Sequence, residues 1–204
     1  MPEERAHPER PGFKDSWFGL KKNPYKKNLY ERYNFCNEYV KGRRVLDIPC
    51  GVGWGTSLLK GAASIIGIDI SNEAIDYAKK HYGQEKTKFC VGEMQSIPLG
   101  DDSVDIVICC EGFEHVSKDI GMRFIQEAKR VLTQAGLLIM TCPVLNEKGA
   151  RTANPYHLCE YPEFELIELL NKNFRILSLQ RMEGRDCPGY RAVVSNFKDE
   201  RYIK

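Results

Sequence analysis

VLDIPCGVGWGTSLL, residues 45 to 59, is the stretch on which the fold turns. An apolar run ends in an acid, Asp47. Glycines follow at alternate positions, Gly51, Gly53 and Gly55, and the chain then turns apolar again. Glycine permits positive φ and lets another group lie flat against the backbone. A dinucleotide-binding turn wants G-x-G-x-x-G. Counted from Gly51, its third glycine falls at position 56, which is Thr56. The dinucleotide pattern therefore misses by one residue. A helix is expected to start near Gly55 and run to Lys60, and a helix N-terminus attracts an anionic group, carboxylate as well as phosphate. The alternative is a turn that merely needs glycine.

Outward from this loop, strands and helices alternate. Arg44–Ile48 reads as a first buried strand, after a helix over Leu29–Val40 that Gly42 ends. Ser64–Ile70 is a second strand, and Ser71 is placed to cap a helix carrying Ala74, Ile75, Ala78 and Tyr82 on one face. Thr87–Gly92 and Val104–Cys110 read as strands three and four. A helix is expected over Ser117–Leu132, a fifth strand over Leu137–Cys142, and a helix over Pro162–Leu170 with proline in the first turn. Phe174–Arg181 and Tyr190–Phe197 close the chain as two strands with no helix between them. This alternation predicts an α/β, doubly wound, mainly parallel sheet of seven strands, with the final hairpin giving an antiparallel edge strand. The domain is expected over residues 29–204, with residues 1–28 as an N-terminal extension or lid.

Three acids follow the strand ends. Asp47 is placed to accept a hydrogen bond from an ammonium group. Asp69 ends the second strand, where an acid can take both hydroxyls of a ribose. Glu93, after the third strand, is placed to meet a purine amino group. An amino-acid tail, a ribose and a purine together make S-adenosylmethionine.

The ordered set V-L-D-x-x-C-G-x-G-x-G, G-I-D-I-S, V-G-E-M-x-x-I-P-L-x-D-x-S-V-D-I-V-I and R-V-L-x-x-x-G-L-L-I-M-T resembles the class I S-adenosylmethionine-dependent methyltransferases over about residues 40 to 180. The resemblance implies a Rossmann-like methyltransferase fold whose last strand is antiparallel. It implies that Asp47, Gly51 and Gly53 line the methionine end and that Asp69, with Ile70 beside it, holds the ribose. Glu93 and Met94 would border the adenine, and Glu111 would open the segment beside the sulfonium. Pro49 departs from the family pattern, which has glycine or alanine there. It removes a backbone donor and stiffens the turn.

After strand four comes CEGFEH. On a helical turn, positions 111, 114 and 115 share one face. Glu111, Glu114 and His115, joined by His157 from NPYHLCEY (154–161), are the expected ligands of a divalent ion; some family members with E-x-x-E-H here use Mg²⁺. His115 is equally readable as a wall or general base, and Glu114 as a cap. The expected catalytic residues are His115 first and His157 second. NPYHLCEY also resembles N-P-[FY]-H-x-x-E-[YF] of methyltransferases acting on sugars and related hydroxylated metabolites. It can equally be a surface loop. Trp17, Phe18, Tyr25, Tyr30 and Tyr33 either cover the site as a lid or pack the first helix.

Composition narrows the partners. The 204 residues are 42% hydrophobic and 28% charged, with a net charge of +2. A dedicated nucleic-acid binder is usually more basic. No apolar run approaches the ~20 residues that span a membrane, and the first residues carry no apolar leader. Eight cysteines without a CxxC read as buried hydrophobes of a reducing compartment, so the cytoplasm is expected. The expected activity is methyl transfer to a small-molecule or glycan acceptor at a hydroxyl. The alternatives are an RNA methyltransferase using the basic Lys21–Arg32 stretch, and a non-catalytic cofactor-binding module.

Overall fold

The computed structural model describes residues 24–145, 154–182 and 189–197. Trp17 and Phe18 and the side chain of Tyr25 lie outside the described residues. The strands form one seven-stranded sheet in the order β3-β2-β1-β4-β5-β7-β6. The chain divides into two compact units, Met1–Glu93 and Met94–Lys204.

The first unit holds α1 (Pro24–Val40), β1 (Arg44–Asp47), β2 (Ser64–Asp69), α2 (Asn72–Tyr82) and β3 (Thr87–Val91). α1 begins five residues before the expected start, with Pro24 at its first position, where the missing N–H costs no helical bond. β1 pairs with β2 and β2 with β3, all parallel. Ser71 caps α2 as expected, its hydroxyl accepting from the Ala74 N–H at 3.2 Å. The buried face of α2, Ile75 and Ala78, packs with Cys50 and Phe89. The helix expected over residues 55–60 is absent. Only a 3-10 turn, Thr56–Leu58, forms, and Leu59 is already extended. Too few residues separate Gly55 from Gly61, whose φ of +75° breaks the turn before β2 begins. The loop thus lacks the helix N-terminus on which an anion was expected to rest.

The second unit holds β4 (Val104–Cys110), α3 (Lys118–Val131), β5 (Leu132–Pro143), α4 (Glu163–Asn173), β6 (Arg175–Met182) and β7 (Gly189–Ser195). β4 and β5 are parallel. β7 runs antiparallel to both β5 and β6. The last strand is therefore the antiparallel one, and it inserts beside β5 so that β6 takes the edge. β5 starts directly after α3, five residues before the expected position. The T-Q-A-G segment, which lies between the expected helix and the expected strand, is folded as an irregularity of the strand, between the pairs Val104↔Leu132 and Ile106↔Leu137. The Asn196 amide holds that segment, donating to the carbonyls of Lys129, Leu132 and Thr133. No helix among the described residues is long and apolar enough to cross a membrane.

Candidate functional site

The three glycines after β1 are there for three reasons. Gly51 has φ +55°, and a Cβ built on it meets nothing within 4 Å. The space on that side is open. Gly53, at φ +78°, would put a Cβ 2.8 Å from the Ala78 Cβ and 2.9 Å from the Phe89 ring. Gly55 has ordinary helical φ, −61°, but its Cβ would lie 2.2 Å from ring carbons of Tyr33. At two of the three positions, then, what comes so close is the protein itself.

Tyr33 arrives from α1 and is 3% exposed. It packs under the loop; the described structure does not present it as a cover. Its hydroxyl donates to both oxygens of Asp47, at 3.1 Å each, and Thr56 Oγ1 donates to the same carboxylate at 2.6 Å. Asp47 is fully buried. Burial pushes its carboxyl up to about 7, with nearby Asp69 adding to the rise, against the lowering effect of the Thr56 and Tyr33 hydroxyls. Tyr33 and Thr56 carry no motif signal, since their meeting with Asp47 is made by the fold.

A raised folded-state value means that Asp47 contributes its full stability below the ordinary carboxylate range. That contribution is lost as pH rises from about 4 through about 7. Asp47→Asn removes the titration. The stability difference between wild type and Asp47→Asn should therefore shift against the wild type by a few kcal/mol, on the order of 1.4 per pH unit, between about pH 4 and 7. Thermal melts of both proteins across this range test it, and a constant difference counts against it.

Asp69, at the end of β2, is 4% exposed. Its carboxylate accepts from the Gly51 N–H at 2.9 Å and the Ser71 N–H at 3.0 Å, so it ties the glycine turn to the cap of α2. A carboxylate offers about four acceptor positions, room for these bonds and for a diol. Next to it, Ile70 is 62% exposed, an apolar surface of the kind a purine ring covers. Glu93 is exposed just past β3. The open Gly51, the buried acid behind it, the strand-end carboxylate and the bare Ile70 fit a nucleoside with an ammonium-bearing tail.

In the second unit, Met94 is buried. Glu111 follows β4 with φ +49°, a costly conformation for a side-chain-bearing residue and one that collects at functional sites. It is held there by Thr141, whose carbonyl accepts from the Glu111 N–H and whose hydroxyl donates to Glu111 Oε1, both at 2.9 Å. Phe113–His115 form a 3-10 turn. One ligand atom from each of Glu114, His115 and His157 lies within 4.8 Å of the others; Glu111 is not in that group. The two imidazoles meet edge to face at 4.9 Å. Glu114 is buried, with Oε1 at 3.9 Å from His115 Nε2. His115 Nδ1 meets the backbone carbonyl of Tyr156 at 3.1 Å.

The NPYHLCEY loop is pinned to this turn by the Cys159 N–H, which donates to the Glu114 carbonyl at 3.0 Å. Asn154 builds the loop, accepting the Tyr156 N–H on its side chain at 3.0 Å. Glu160, buried, engages His157 Nδ1. Two imidazoles and one carboxylate suit a borderline ion such as Zn²⁺ or Fe²⁺ better than Mg²⁺, which prefers oxygen.

A mainly parallel sheet of this order, with a glycine turn after β1 and an acid ending β2, defines a doubly wound α/β class. Residues 46–140 match the family described as a methyltransferase domain. Over this segment the chain is similar to the class I S-adenosylmethionine-dependent methyltransferases. The similarity implies S-adenosylmethionine as cosubstrate. A probable S-adenosylmethionine-dependent methyltransferase of Mycolicibacterium smegmatis is 32% identical over 133 residues, 63% of this chain and 50% of the relative. The malonyl-[acyl-carrier protein] O-methyltransferase of Legionella pneumophila is 32% identical over 117 residues, 55% of this chain and 40% of the relative. The chain thus spans about half the length of the curated relatives it matches, or less. A crystal structure of a Pyrococcus horikoshii protein shares the fold at a TM-score of 0.71 and 20% identity, covering 86% of this chain and 92% of that one.

Proposed function

We propose that the chain catalyses methyl transfer from S-adenosylmethionine to a hydroxyl of a small-molecule acceptor, sugars included. The observation that carries this reading is the Glu114–His115–His157 cluster beyond β4. Relatives named for oxygen methylation, a fatty-acid O-methyltransferase and the malonyl-[acyl-carrier protein] O-methyltransferase, support oxygen as the acceptor atom. A carboxylate acceptor arrives already ionised and needs no base. A hydroxyl must lose a proton, and an imidazole is the ordinary receiver.

S-adenosylmethionine supplies an activated methyl group on a sulfonium, displaced in line by the acceptor oxygen. The first unit provides the seat. Gly51 offers bare backbone, Asp69 takes the ribose hydroxyls, and Ile70 and Glu93 border the adenine. Asp47, fully buried beside Tyr33 and Thr56, acts on the ammonium through its charge and not by contact, and a cation held near it favours its ionised form. In the second unit an imidazole Nε2 takes the acceptor's proton, while the buried Glu114 offsets the charge that develops. A second use of the same donors is a bound transition ion, held by Glu114, His115 and His157. It would lower the pKa of the acceptor hydroxyl.

Titration calorimetry with S-adenosylmethionine and with NADH tests the seat; binding of NADH alone sinks it. Formation of S-adenosylhomocysteine over a panel of sugars, phenols and hydroxy acids tests the activity. Tight cofactor binding with no product from any acceptor would leave a binding module. RNA binding that weakens steeply with salt would favour the nucleic-acid alternative. Activity that survives EDTA and ignores added Zn²⁺, Fe²⁺ and Mg²⁺ removes the ion.

A further inference from the structure

The sequence puts His115 before His157 as the proton acceptor; the fold gives the two imidazoles different partners. His115 is 29% exposed at its side chain, and its Nδ1 meets a neutral group, the Tyr156 carbonyl. His157 is 11% exposed at its side chain, and its Nδ1 meets the carboxylate of Glu160, whose own side chain is 0% exposed. An ionised Glu160 can only accept, so the ring nitrogen facing it then carries the proton; the Tyr156 carbonyl asks the same of His115 Nδ1, but without a charge. The lone pair is then on Nε2. In water a neutral imidazole divides between the two tautomers; the partner on one nitrogen decides which form is held.

We propose that Glu160 is a positioning residue that holds His157 with its proton on Nδ1, and that His157, rather than His115, is the proton acceptor of the site. The role given to His157 rests on the methyl-transfer reading; the tautomer does not. In the step, the acceptor O–H proton moves to His157 Nε2. The oxygen's electron pair forms the new C–O bond, and the C–S pair leaves with sulfur. The imidazolium then carries a proton on both nitrogens, with a full negative charge against Nδ1. At His115 the group meeting Nδ1 is a backbone carbonyl. Its Nε2 side already faces Glu114, which suits it to shape the site and not to receive the proton. Glu160 is fixed in turn by the loop. It lies three residues on from His157, and the Cys159 N–H between them is bonded to Glu114.

The test is a long-range ¹H–¹⁵N spectrum of the full chain, labelled at its four histidines and freed of metal with EDTA. It is recorded above the imidazole range, and His157→Gln makes the assignment. Wild type should show His157 protonated on Nδ1. Glu160→Gln, whose amide oxygen still accepts, should keep that tautomer, and Glu160→Leu should move the proton to Nε2. With an acceptor in hand, Glu160→Leu should lower kcat about 10- to 100-fold, with the acceptor KM within about twofold and partial recovery in Glu160→Gln. His157→Gln should lower kcat about 100-fold or more and His115→Gln by less. A wild-type His157 protonated on Nε2 overturns the positioning role even if Glu160→Leu does not fold. A larger loss in His115→Gln overturns the choice of base. If no acceptor is turned over, the methyl-transfer reading fails, while the spectrum still decides what Glu160 does.

Discussion

Asp69→Ala is expected to weaken S-adenosylmethionine binding by about 100-fold or more. The carboxylate has two duties. It accepts from the Gly51 and Ser71 N–H groups, which sets the turn at Gly51, and it is the proposed partner of the ribose diol. A hydrogen bond to a charged group contributes about 1.5–3 kcal/mol. Two lost to the diol amount to about 3–6 kcal/mol, and each 1.4 kcal/mol is tenfold in affinity. Asp69→Asn keeps one acceptor oxygen and should fall between the two. Calorimetric titration of the three proteins measures the series. An affinity for Asp69→Ala within a few-fold of wild type would remove the ribose from this residue.

Gly55→Ala should be among the most destabilising single-methyl changes in the chain. Its φ is ordinary for any residue, so backbone strain plays no part. The cost is the space already filled by Tyr33. The ring must leave, and its hydroxyl leaves the buried Asp47 with it. Overpacking costs about 1–3 kcal/mol, and a buried acceptor losing a donor adds about 1–3. Together these come to about 2–6 kcal/mol, and a domain of this size loses about 2–4 °C of Tm per kcal/mol, so a fall of roughly 4–24 °C is expected in a thermal melt. The control is coupling. Gly55→Ala added to Tyr33→Ala should cost little more than Tyr33→Ala alone, because the clash has gone. Gly51→Ala meets nothing in the protein and should cost only what its positive φ demands, about 1 kcal/mol. Additive losses in the double variant would show that the ring is not what Gly55 accommodates.

Most of the fold was legible because its signals are local. Strand runs, helical spacing and the Ser71 cap are read from neighbouring residues, and most elements lie where those residues indicate, with α1 and β5 starting five residues early. What was not legible depends on partners far along the chain. The helix expected after Gly55 fails because Gly61 and β2 follow too soon. The T-Q-A-G segment was expected in neither helix nor strand, yet Asn196, more than sixty residues later, holds it in the strand. The Asp69 and Ile70 placement was readable from its position after a strand. The Tyr33–Asp47–Thr56 contact was not, since no spacing announces it. Likewise E-x-x-E-H suggested one face bearing Glu111, Glu114 and His115. The left-handed turn at Glu111 separates that residue from the other two, which group instead with His157. Pro49 follows a cis peptide bond; its presence in place of a glycine or alanine has no account in the contacts described.

The tyrosine under the glycine turn bears on where this domain can be cut. The segment shared with the family starts at residue 46, after α1 has ended. Excised there, the fragment would lose the ring that fills the space over Gly55 and the hydroxyl that meets Asp47, exposing to water a carboxylate the fold keeps dry. The conserved-looking piece is therefore not a portable cassette. Any swap of this cofactor loop into another scaffold must carry a helix from outside the shared segment along with it.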